Sequence, residues 1–460
     1  EGNPFFIQEI VRHLVDEGLL GRDALPWTSR SRIEDLRLPE SVRDVIGRRL
    51  GRLGAACIKV LTAAAVVGRE FGHEVIERIA ELEQEQLVEA LEEAIAARVV
   101  EEVPQAIGRY RFAHALIRET LYGNLRTLER VRRHHRVAEV LEALYARNPE
   151  PHLAELAHHF LEALPGGDVD KAVGYATRAG DQANAQLAYE DAAIHYERAL
   201  QALELREPPD ERQRCELLLK HGEARWSMGL EATESLEEAA TLAERLGDAE
   251  IFARAALGRA GFGAGLFVVA GDASQLTLLE RALGALADRD SALRARVMGR
   301  LSALRVFMGS PHGNPSFARS AIAMARRIGD KKALAYVLNT TMWAACGPGD
   351  REEGLTWVEE LIRLADEIGD VRLAAEGHLW KARYHLEIGD IVGAGHEVEI
   401  QERFATTSRQ AYHRYLANVA RGGRAFMEGR FDEAEACLEE TLEMGRGVGS
   451  FSIVAAVRGT

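Results

Sequence analysis

Hydrophobic residues in the C-terminal half recur at the period of amphipathic helices, and these helices end on a shared phrase. Stretches such as SLEEAATLAERLGD and WVEELIRLADEIGD place apolar residues on one face and acidic residues on the other. The phrase is Leu or Ile followed by Gly and Asp, at 246–248, 328–330 and 368–370, with a degenerate copy at 286–288. These copies follow one another at about 40 residues, or twice that distance, and one further copy at 388–390 lies half a period after the last. Because glycine suits the left-handed residue that closes a helix, the pattern predicts repeated helix–turn–helix units.

Two segments match the tetratricopeptide pattern more closely. In that pattern a small alanine lets two helices approach, and an aromatic residue fills the groove beside it. The matching positions are Tyr189, Ala192, Tyr196, Ala199 and Leu200 in one segment, and Gly429, Phe431, Ala434, Leu438 and Leu442 in the other. We therefore predict a tetratricopeptide-like α-solenoid from about residue 151 to the end, with units longer than the usual length of about 34 residues.

In the N-terminal third the pattern predicts several helices followed by a β-hairpin. Helical patterns in SVRDVIGRRLGRL, ACIKVLTAAAVV and HEVIERIA with QLVEALEEAIAAR precede an alternating strand at 99–103. The turn PQAIG and a returning strand at 109–112 follow, and then another helix. This order is the winged-helix arrangement. The predicted fold class is thus all-α with one small β-hairpin: a winged-helix-like module followed by the tetratricopeptide-like α-solenoid.

Composition narrows the class of protein. The 460 residues are 47% hydrophobic and 28% charged, as in an ordinary folded domain, and the net charge of −15 argues against a chain that coats nucleic acid. The cysteines at 57, 215, 346 and 437 form no CxxC pair, and no signal peptide opens the sequence. The longest notable uncharged stretch, 261–271, is too short to span a bilayer. We expect a cytoplasmic protein with no membrane partner.

Four segments in linear order carry a resemblance to a known family. They are EGNPFFIQEIVRHLVDEG, LPESVRDVIGRRLGRL, LTAAAVVGREF and RYRFAHALIRETLYGNL. Together they resemble the STAND class of AAA-related signalling ATPases, above all bacterial regulators with an ATPase, a winged helix and a tetratricopeptide arm. In that group the ATPase is commonly joined to a nucleotide-cyclase domain upstream or a LuxR-type DNA-binding domain downstream. The match covers roughly residues 1 to 200.

The resemblance implies three cofactor-binding residues. Gly2 and Pro4 match the family's GxP signature, in which the proline lies close to the base of the bound nucleotide. His114 stands where family members place a winged-helix histidine near the β-phosphate of ADP, and an imidazole there could sense the nucleotide state. Two simpler interpretations stay open. The tripeptide at 2–4 also fits an ordinary helix start, and His114 also fits a helix-start histidine packed under the hairpin.

The chemistry of ATP hydrolysis needs a residue pattern that this sequence lacks. Phosphoryl transfer in this class uses a Gly-rich loop ending in Gly-Lys-Ser/Thr, and none of the six lysines follows a glycine. We therefore expect no enzyme activity and no bound cofactor from this chain alone, with ATP or ADP and Mg²⁺ held by an NTPase domain elsewhere in a longer protein. The first residue, Glu1, and the helix-like ending FSIVAAVRGT also lead us to expect a fragment.

The patterns and the resemblance together predict four parts. Residues 1–30 are the terminal helical piece of an NTPase domain, and 31–125 are the winged-helix-like module. Residues 126–205 are a helical linker with the first tetratricopeptide-like repeats. Residues 206–460 are the tetratricopeptide-like α-solenoid, truncated at its end.

Two local features suggest other chemistry. Residues 109–136 carry eight arginines against two glutamates, yet the arginines spread round more than one helical face, so we expect an intramolecular acidic partner or a solvated face. The histidine pairs at 134–135 and 158–159, with His152, invite a metal site. Adjacent helical residues point roughly 100° apart, so neither pair is expected to chelate one ion. Glu155 and His158 are only half of a di-iron pattern. We predict polar helix faces, no metal and no catalytic residues.

These observations leave three functional hypotheses. The first is the nucleotide-switch and sensing segment of a STAND-type regulator, whose array binds a protein or small-molecule effector and whose other partner is its own NTPase domain. The second is a stand-alone tetratricopeptide scaffold. The third is a DNA-binding regulator acting through residues 31 to 136, although the first hypothesis makes any nucleic-acid contact indirect. Trp226, Trp343, Trp357 and Trp380 lie in the repeats, as groove fillers or as partner anchors.

Overall fold

The structure, a computed structural model, describes seven stretches of the chain. They are residues 46–47, 49–228, 232–259, 273–307, 315–345, 350–408 and 411–447. Packing divides the chain into two units, Glu1–Ala179 and Gly180–Thr460. Within the described residues no helix combines the length and apolar character needed to cross a bilayer.

The first unit contains helices of 8 to 19 residues and a small sheet. Its helices are α1 (Ala55–Val67), α2 (His73–Ala80), α3 (Gln84–Ala96), α4 (Ala115–Gly123), α5 (Thr127–Tyr145) and α6 (Leu153–Glu162), and α7 (Val169–Ala185) carries the division between the units. Its strands are β1 (Glu70–Gly72), β2 (Val100–Glu102) and β3 (Arg109–Phe112), and a 3₁₀ turn covers Glu150–His152.

Helix α1 is the centre of the first unit. Its sequence, AACIKVLTAAAVV, is apolar almost all round, which is the pattern of a helix enclosed by neighbours. It packs against α2, α3, α4, α5 and β1. Its small alanines, such as Ala64 and Ala65, are fully buried and permit this close approach on several sides.

The predicted hairpin is confirmed, and a third strand joins it. Strands β2 and β3 pair antiparallel, with Val100 opposite Phe112. Strand β1 pairs with the other edge of β3, with Phe71 opposite Tyr110, so the sheet order is β1-β3-β2. A strand of three residues offers too little alternation to be recognised in a sequence, and Phe71 alone in β1 is buried.

The second unit is an array of helices. After α7 come α8 (Tyr189–Leu203), α9 (Glu211–Ser227), α10 (Thr233–Leu246), α11 (Ala249–Arg259), α12 (Ala273–Ala285), α13 (Ala292–Phe307), α14 (Pro315–Ile328), α15 (Lys331–Thr341), α16 (Arg351–Ile368), α17 (Val371–Glu387), α18 (Ile391–Ser408), α19 (Ala411–Met427) and α20 (Phe431–Gly447), with a 3₁₀ turn at Met342–Ala345. Consecutive helices pack on each other along the array. The fold is therefore a tetratricopeptide-like helical repeat, as predicted.

The Gly-Asp phrase closes one helix and opens the next. Gly369 ends α16 in the left-handed conformation, with φ +71°, and its N–H donates to the Ala365 and Asp366 carbonyls. Asp370 then caps α17, its carboxylate accepting from the Leu373 N–H at 3.0 Å. Gly247 has the same φ at the end of α10, so the predicted role of the glycine is confirmed.

The degenerate copy of the phrase uses a side chain instead of a glycine. At 286–288 alanine replaces glycine, and the guanidinium of Arg294 donates to the Leu283, Leu286 and Ala287 carbonyls at 3.2–3.4 Å. It also pairs with Asp288 at 2.9 Å. A cation at a helix C-terminus satisfies the last carbonyls and the helix dipole together.

Helices of the array alternate between two kinds: inner helices, which are buried on most faces, and outer helices, which have one exposed charged face. Every residue of α15 from Ala333 to Thr341 is buried, and α13 and α17 are buried on most faces. The intervening helices, such as α14 and α16, have a buried stripe and an exposed charged face. The inner helices α11, α13, α15, α17 and α19 begin 39 to 43 residues apart, which is the period of the sequence pattern.

The two tetratricopeptide-like segments differ in how they pack. In α8, Ala192, Tyr196 and Ala199 are buried as the pattern predicts. In α20, Phe431 and Leu438 are exposed, because the helix packs on α19 through Cys437 and Thr441 instead.

Helix α7 offers a matched pair of substitutions that tests the packing. A Cβ on Gly180 would lie 2.5 Å from the Tyr196 ring, whereas a Cβ on Gly174 meets nothing within 4 Å. We expect Gly180→Ala to destabilise the chain by about 1–3 kcal/mol through overpacking. Gly174→Ala should stabilise it by about 0.5–1 kcal/mol by restricting the unfolded chain. Urea unfolding followed by circular dichroism compares the two, and shifts of the same sign would contradict this packing.

Candidate functional site

Of the three residues predicted to bind nucleotide, only His114 lies within the described part of the chain. Gly2 and Pro4 lie outside the described residues. His114 is half-buried at the N-cap of α4, directly after β3.

The hydrogen bond of His114 defines its tautomer. Its Nδ1 accepts from the Leu116 N–H at 3.2 Å. An imidazole that accepts through Nδ1 carries its proton on Nε2 when neutral, so Nε2 is a donor. His114 therefore caps the helix, as the simpler interpretation expects. In that tautomer Nε2 carries an N–H, the type of group from which a phosphate oxygen accepts a hydrogen bond.

Many arginines of residues 109–136 make bonds within the first unit. Arg111 pairs with Glu101 at 2.6 Å, and Arg133 pairs with Glu129 at 2.8 Å. The side chain of Arg118 donates to the Ala65 carbonyl and that of Arg130 to the Gly123 carbonyl. A DNA-binding face needs cations free to meet phosphates, so this arrangement favours a structural role for most of the stretch.

Inner helices α15 and α17 hold a buried polar network. Asn339 donates its Nδ2 to Glu376 at 2.5 Å, and its Oδ1 accepts from the indole N–H of Trp380 at 3.1 Å. Glu376, 1% exposed, also accepts from Arg372 at 3.2 Å. Both polar atoms of the buried Asn339 side chain therefore have a hydrogen-bond partner.

The buried guanidinium of Arg300 needs the negative charge of this network. Arg300 of α13 is 1% exposed, and burial lowers its pKa, while nearby Tyr336 and Glu376 act in the opposite direction. A guanidinium stays charged in proteins, so its cost of burial must be offset by a nearby anion. The carboxylate of Glu376 supplies that charge.

Tryptophans and arginines extend the network across the array. Trp343 and Trp380 meet edge to face at 5.0 Å, and the Arg383 guanidinium lies 5.2 and 5.4 Å from their ring centres. Arg372 lies 4.9 Å from the Trp226 ring, although three helix pairs separate α9 from α17 along the chain. Trp380 lies on the inner helix α17, Trp343 in the 3₁₀ turn after α15 and Trp226 on α9. Trp357 packs in the core from the outer helix α16.

A charged cleft lies beside this network. Its volume is about 390 Å³, between α16 and α17, with lining residues Glu359, Ile362, Arg363, Asp366, Glu367, His378 and Lys381. Buried Glu397 of α18 accepts from His378 at 2.6 Å and pairs with Lys381 at 2.9 Å. Burial raises the pKa of Glu397, but these two partners outweigh it and hold the pKa below its usual value. The cleft thus has positioned charges of both signs.

The histidine pairs do not form the solvated polar faces that the sequence suggests. Within the first unit, His134 of α5 and His159 of α6 are buried, with their Nδ1 atoms 2.9 Å apart. Burial, and then neighbouring His158 and arginines, lower the pKa of His134 to about 4. Burial also lowers the pKa of His159, to about 2. Adjacent histidines diverge on a single helix, but the packing of α5 on α6 brings rings from the two helices together.

Buried polar residues of the inner helices recur at a fixed spacing, which was not recognised from the sequence. Ser302, Asn339, Glu376 and His413 are all buried, and each follows the previous one by 37 residues. The helix period is close to 40, so the polar position recedes by about one turn from each inner helix to the next. A search for polar residues at that offset within apolar helices would have found the line.

Comparisons with known proteins find similar folds without a family. No family model matches the chain, and no curated protein matches its sequence. Similar solved structures include a STAND protein with a tetratricopeptide repeat sensor from Pyrococcus horikoshii, at 12% identity and a TM-score of 0.42, covering 89% of this chain and 66% of that one. A Rap protein complexed with Competence and Sporulation Factor is 14% identical, with a TM-score of 0.48 and coverage of 88% and 99%. Aspartyl phosphate phosphatase F from Bacillus subtilis is 12% identical, with a TM-score of 0.43 and coverage of 89% and 96%. Likenesses this distant do not identify a function.

The charge balance of the network can be tested at Glu376. We expect Glu376→Gln to lower the free energy of unfolding by about 3–5 kcal/mol, because it leaves Arg300 without its anion while keeping the side-chain shape. The matched control is Glu216→Gln, which breaks an exposed pair with Arg212 and should cost less than about 1 kcal/mol. Urea unfolding measures both, and equal costs would show that Glu376 does not compensate a buried charge.

The engagement of the arginines predicts weak contact with DNA. We expect no shift of a duplex oligonucleotide by the chain at roughly 50 mM salt, where phosphate contacts are strong. The variant with Arg130, Arg132 and Arg133 replaced by alanine should behave identically. A shift that is lost in this variant and on raising the salt would establish the DNA-binding hypothesis.

Proposed function

We propose that this chain is the nucleotide-switch and sensing segment of a STAND-type regulatory ATPase. The observation that carries the proposal is the order of four N-terminal motifs directly ahead of a tetratricopeptide-like array. In this assignment residues 31–125 are a winged-helix module that contacts the NTPase domain of the longer protein. The array receives a protein or small-molecule effector.

Two structural features support the assignment. The first is His114, whose Nδ1 bond to the backbone makes Nε2 the donor that a nucleotide phosphate would accept from. The second is the cleft between α16 and α17, where Lys381 and His378 are held by Glu397 beside exposed acidic residues. Such positioned charges suit the recognition of a polar effector.

The mechanism is a population shift between two states. Nucleotide exchange in the NTPase domain would reposition the winged helix, and an effector on the array would favour one of the two arrangements. Each ligand biases the equilibrium only by its difference in affinity for the two states. The chain itself has no residue assigned to phosphoryl transfer, and hydrolysis belongs to the NTPase domain with its Mg²⁺.

The proposal predicts nucleotide in the native protein. We expect the intact polypeptide from its source to have a mass well above 50.7 kDa and to release ADP or ATP on denaturation. His114→Asn keeps a capping side chain but removes the imidazole, so nucleotide affinity should fall about 10- to 100-fold, the value of a hydrogen bond to a charged group. His135→Asn is the matched control and should leave nucleotide affinity unchanged.

The opposite outcome identifies the second hypothesis. A native mass near 50.7 kDa with no nucleotide would contradict the proposal and leave a stand-alone tetratricopeptide scaffold. Retention of nucleotide by His114→Asn at full affinity would keep the STAND assignment but remove the sensor role of His114.

A further inference from the structure

Three histidines of the first unit converge on one point. His134 comes from α5, and His158 and His159 come from α6. Each offers a ring nitrogen, and these three atoms lie within 4.8 Å of one another. The ring centres are 5.0–5.5 Å apart in all three pairs. This group is the histidine cluster.

The two neighbours on α6 approach His134 from different directions. The His159 ring is tilted 36° from that of His134, whereas the His158 ring stands at 86° to it. Adjacent helical residues diverge by roughly 100°, which prevents chelation on one helix face but allows two rings to bracket a third from another helix. The three nitrogens then surround a point between the helices.

We propose that the histidine cluster binds one divalent transition-metal ion of the zinc type through three imidazole nitrogens, with a fourth position for water or another ligand. Three histidines with an open position are a known ligand set for zinc. Imidazole donors favour zinc, copper, nickel or iron, whereas magnesium and calcium require oxygen ligands that the cluster lacks.

The separation of the donor atoms is close to what such an ion needs. The Nδ1 atoms of His134 and His159 are 2.9 Å apart, a hydrogen-bond distance. Two nitrogens on a tetrahedral zinc, each about 2.0–2.1 Å from the metal, are about 3.3 Å apart. The His134 and His159 rings must therefore separate by about 0.4 Å. The ligand nitrogen of His158 lies within 4.8 Å of theirs and must come to the same spacing.

The other nitrogens are placed as second-shell partners require. His134 Nε2 lies 2.9 Å from the Tyr122 hydroxyl, whose oxygen can accept a hydrogen bond from the N–H of a metal-bound imidazole. His159 Nε2 is buried without a hydrogen bond of normal geometry, and the Val67 backbone lies near the His159 ring. A metal on both Nδ1 atoms would leave both Nε2 atoms as N–H donors, that of His134 toward the Tyr122 hydroxyl.

Two cations lie near the cluster and limit its affinity. The guanidinium groups of Arg118 and Arg130 lie 5.6 and 4.7 Å from the Tyr122 ring centre, and both are held by backbone carbonyls. The carboxylate of Glu162 acts on Tyr122 from α6. The net positive surroundings oppose a dication, so we expect weaker binding than in closed cysteine-rich zinc sites.

The test titrates the complete, tag-free chain with a metal alone. After dialysis against chelator, Zn²⁺ is added in a calorimeter, and Co²⁺ is used in parallel because its visible spectrum reports tetrahedral nitrogen ligands. We expect one saturable site per chain, with no heat from Mg²⁺. His158→Gln should lower Zn²⁺ affinity more than 100-fold, and Tyr122→Phe about 10- to 100-fold, the range for a lost second-shell partner.

Controls separate the cluster from other histidines and from misfolding. His135→Gln and His152→Gln change neighbouring histidines outside the cluster and should leave the titration unchanged. His158 is the most exposed of the three ligands, so its variant is the least prone to unfold, and circular dichroism checks this. Absence of a saturable site in the wild-type chain, or an unchanged titration in folded His158→Gln, would overturn the proposal. If His158→Gln unfolds, the wild-type imidazole ¹⁵N shifts on adding Zn²⁺ decide, because only bound rings move.

Discussion

The array depends on the closure of its helix ends, and at the α10–α11, α14–α15 and α16–α17 turns two residues close one helix and open the next. Every helix leaves its last carbonyls and first N–H groups without partners inside the helix, and burying them unpaired would cost more than a repeat can recover. Gly369 and Asp370 solve both problems at adjacent positions, because one satisfies the outgoing carbonyls and the other caps the incoming helix. Short turns then force successive helices to pack antiparallel. Arg294 shows that the requirement is the satisfied carbonyl and not the glycine itself.

Close packing of the inner helices has a second consequence. A helix such as α15, buried from Ala333 to Thr341, gives its polar side chains no water, so they need partners inside the protein. Thr340 and Thr341 donate to carbonyls of α15 itself, whereas Asn339 pairs with a neighbouring helix. Asn339 and Glu376 meet because the polar position moves back by about one turn between α15 and α17. The pairing also defines register, since sliding one helix by a turn would leave Asn339, Glu376 and Arg300 unpaired.

The sequence predicted the features whose cause is local. Helix ends are set by residues such as Gly247 and Asp370, and the hairpin by alternation at 99–103, so their positions can be read without a structure. Strand β1 was not predicted, because three residues are too few to show the alternation of a strand. The histidine cluster and the pairing of the Arg300 and Glu376 charges were not predicted, because each joins residues of different helices and depends on how those helices pack. For the candidate nucleotide site, only the capping position of His114 is described, and Gly2 and Pro4 stay predictions.

The energetics of the array bear on where an effector can act. Separating the inner helices would expose residues such as Trp380 and Leu338, at about 1.5–3 kcal/mol for each large apolar side chain. The contact of Arg372 with Trp226, between distant helix pairs, is worth only about 0.5–2 kcal/mol. An effector with ordinary affinity therefore has too little energy to open the inner core, but enough to change contacts between pairs. The cleft between α16 and α17, the proposed effector site, is compatible with this limit, because its lining residues His378 and Lys381 lie at the edge of the core, where a ligand can contact them without exposing it.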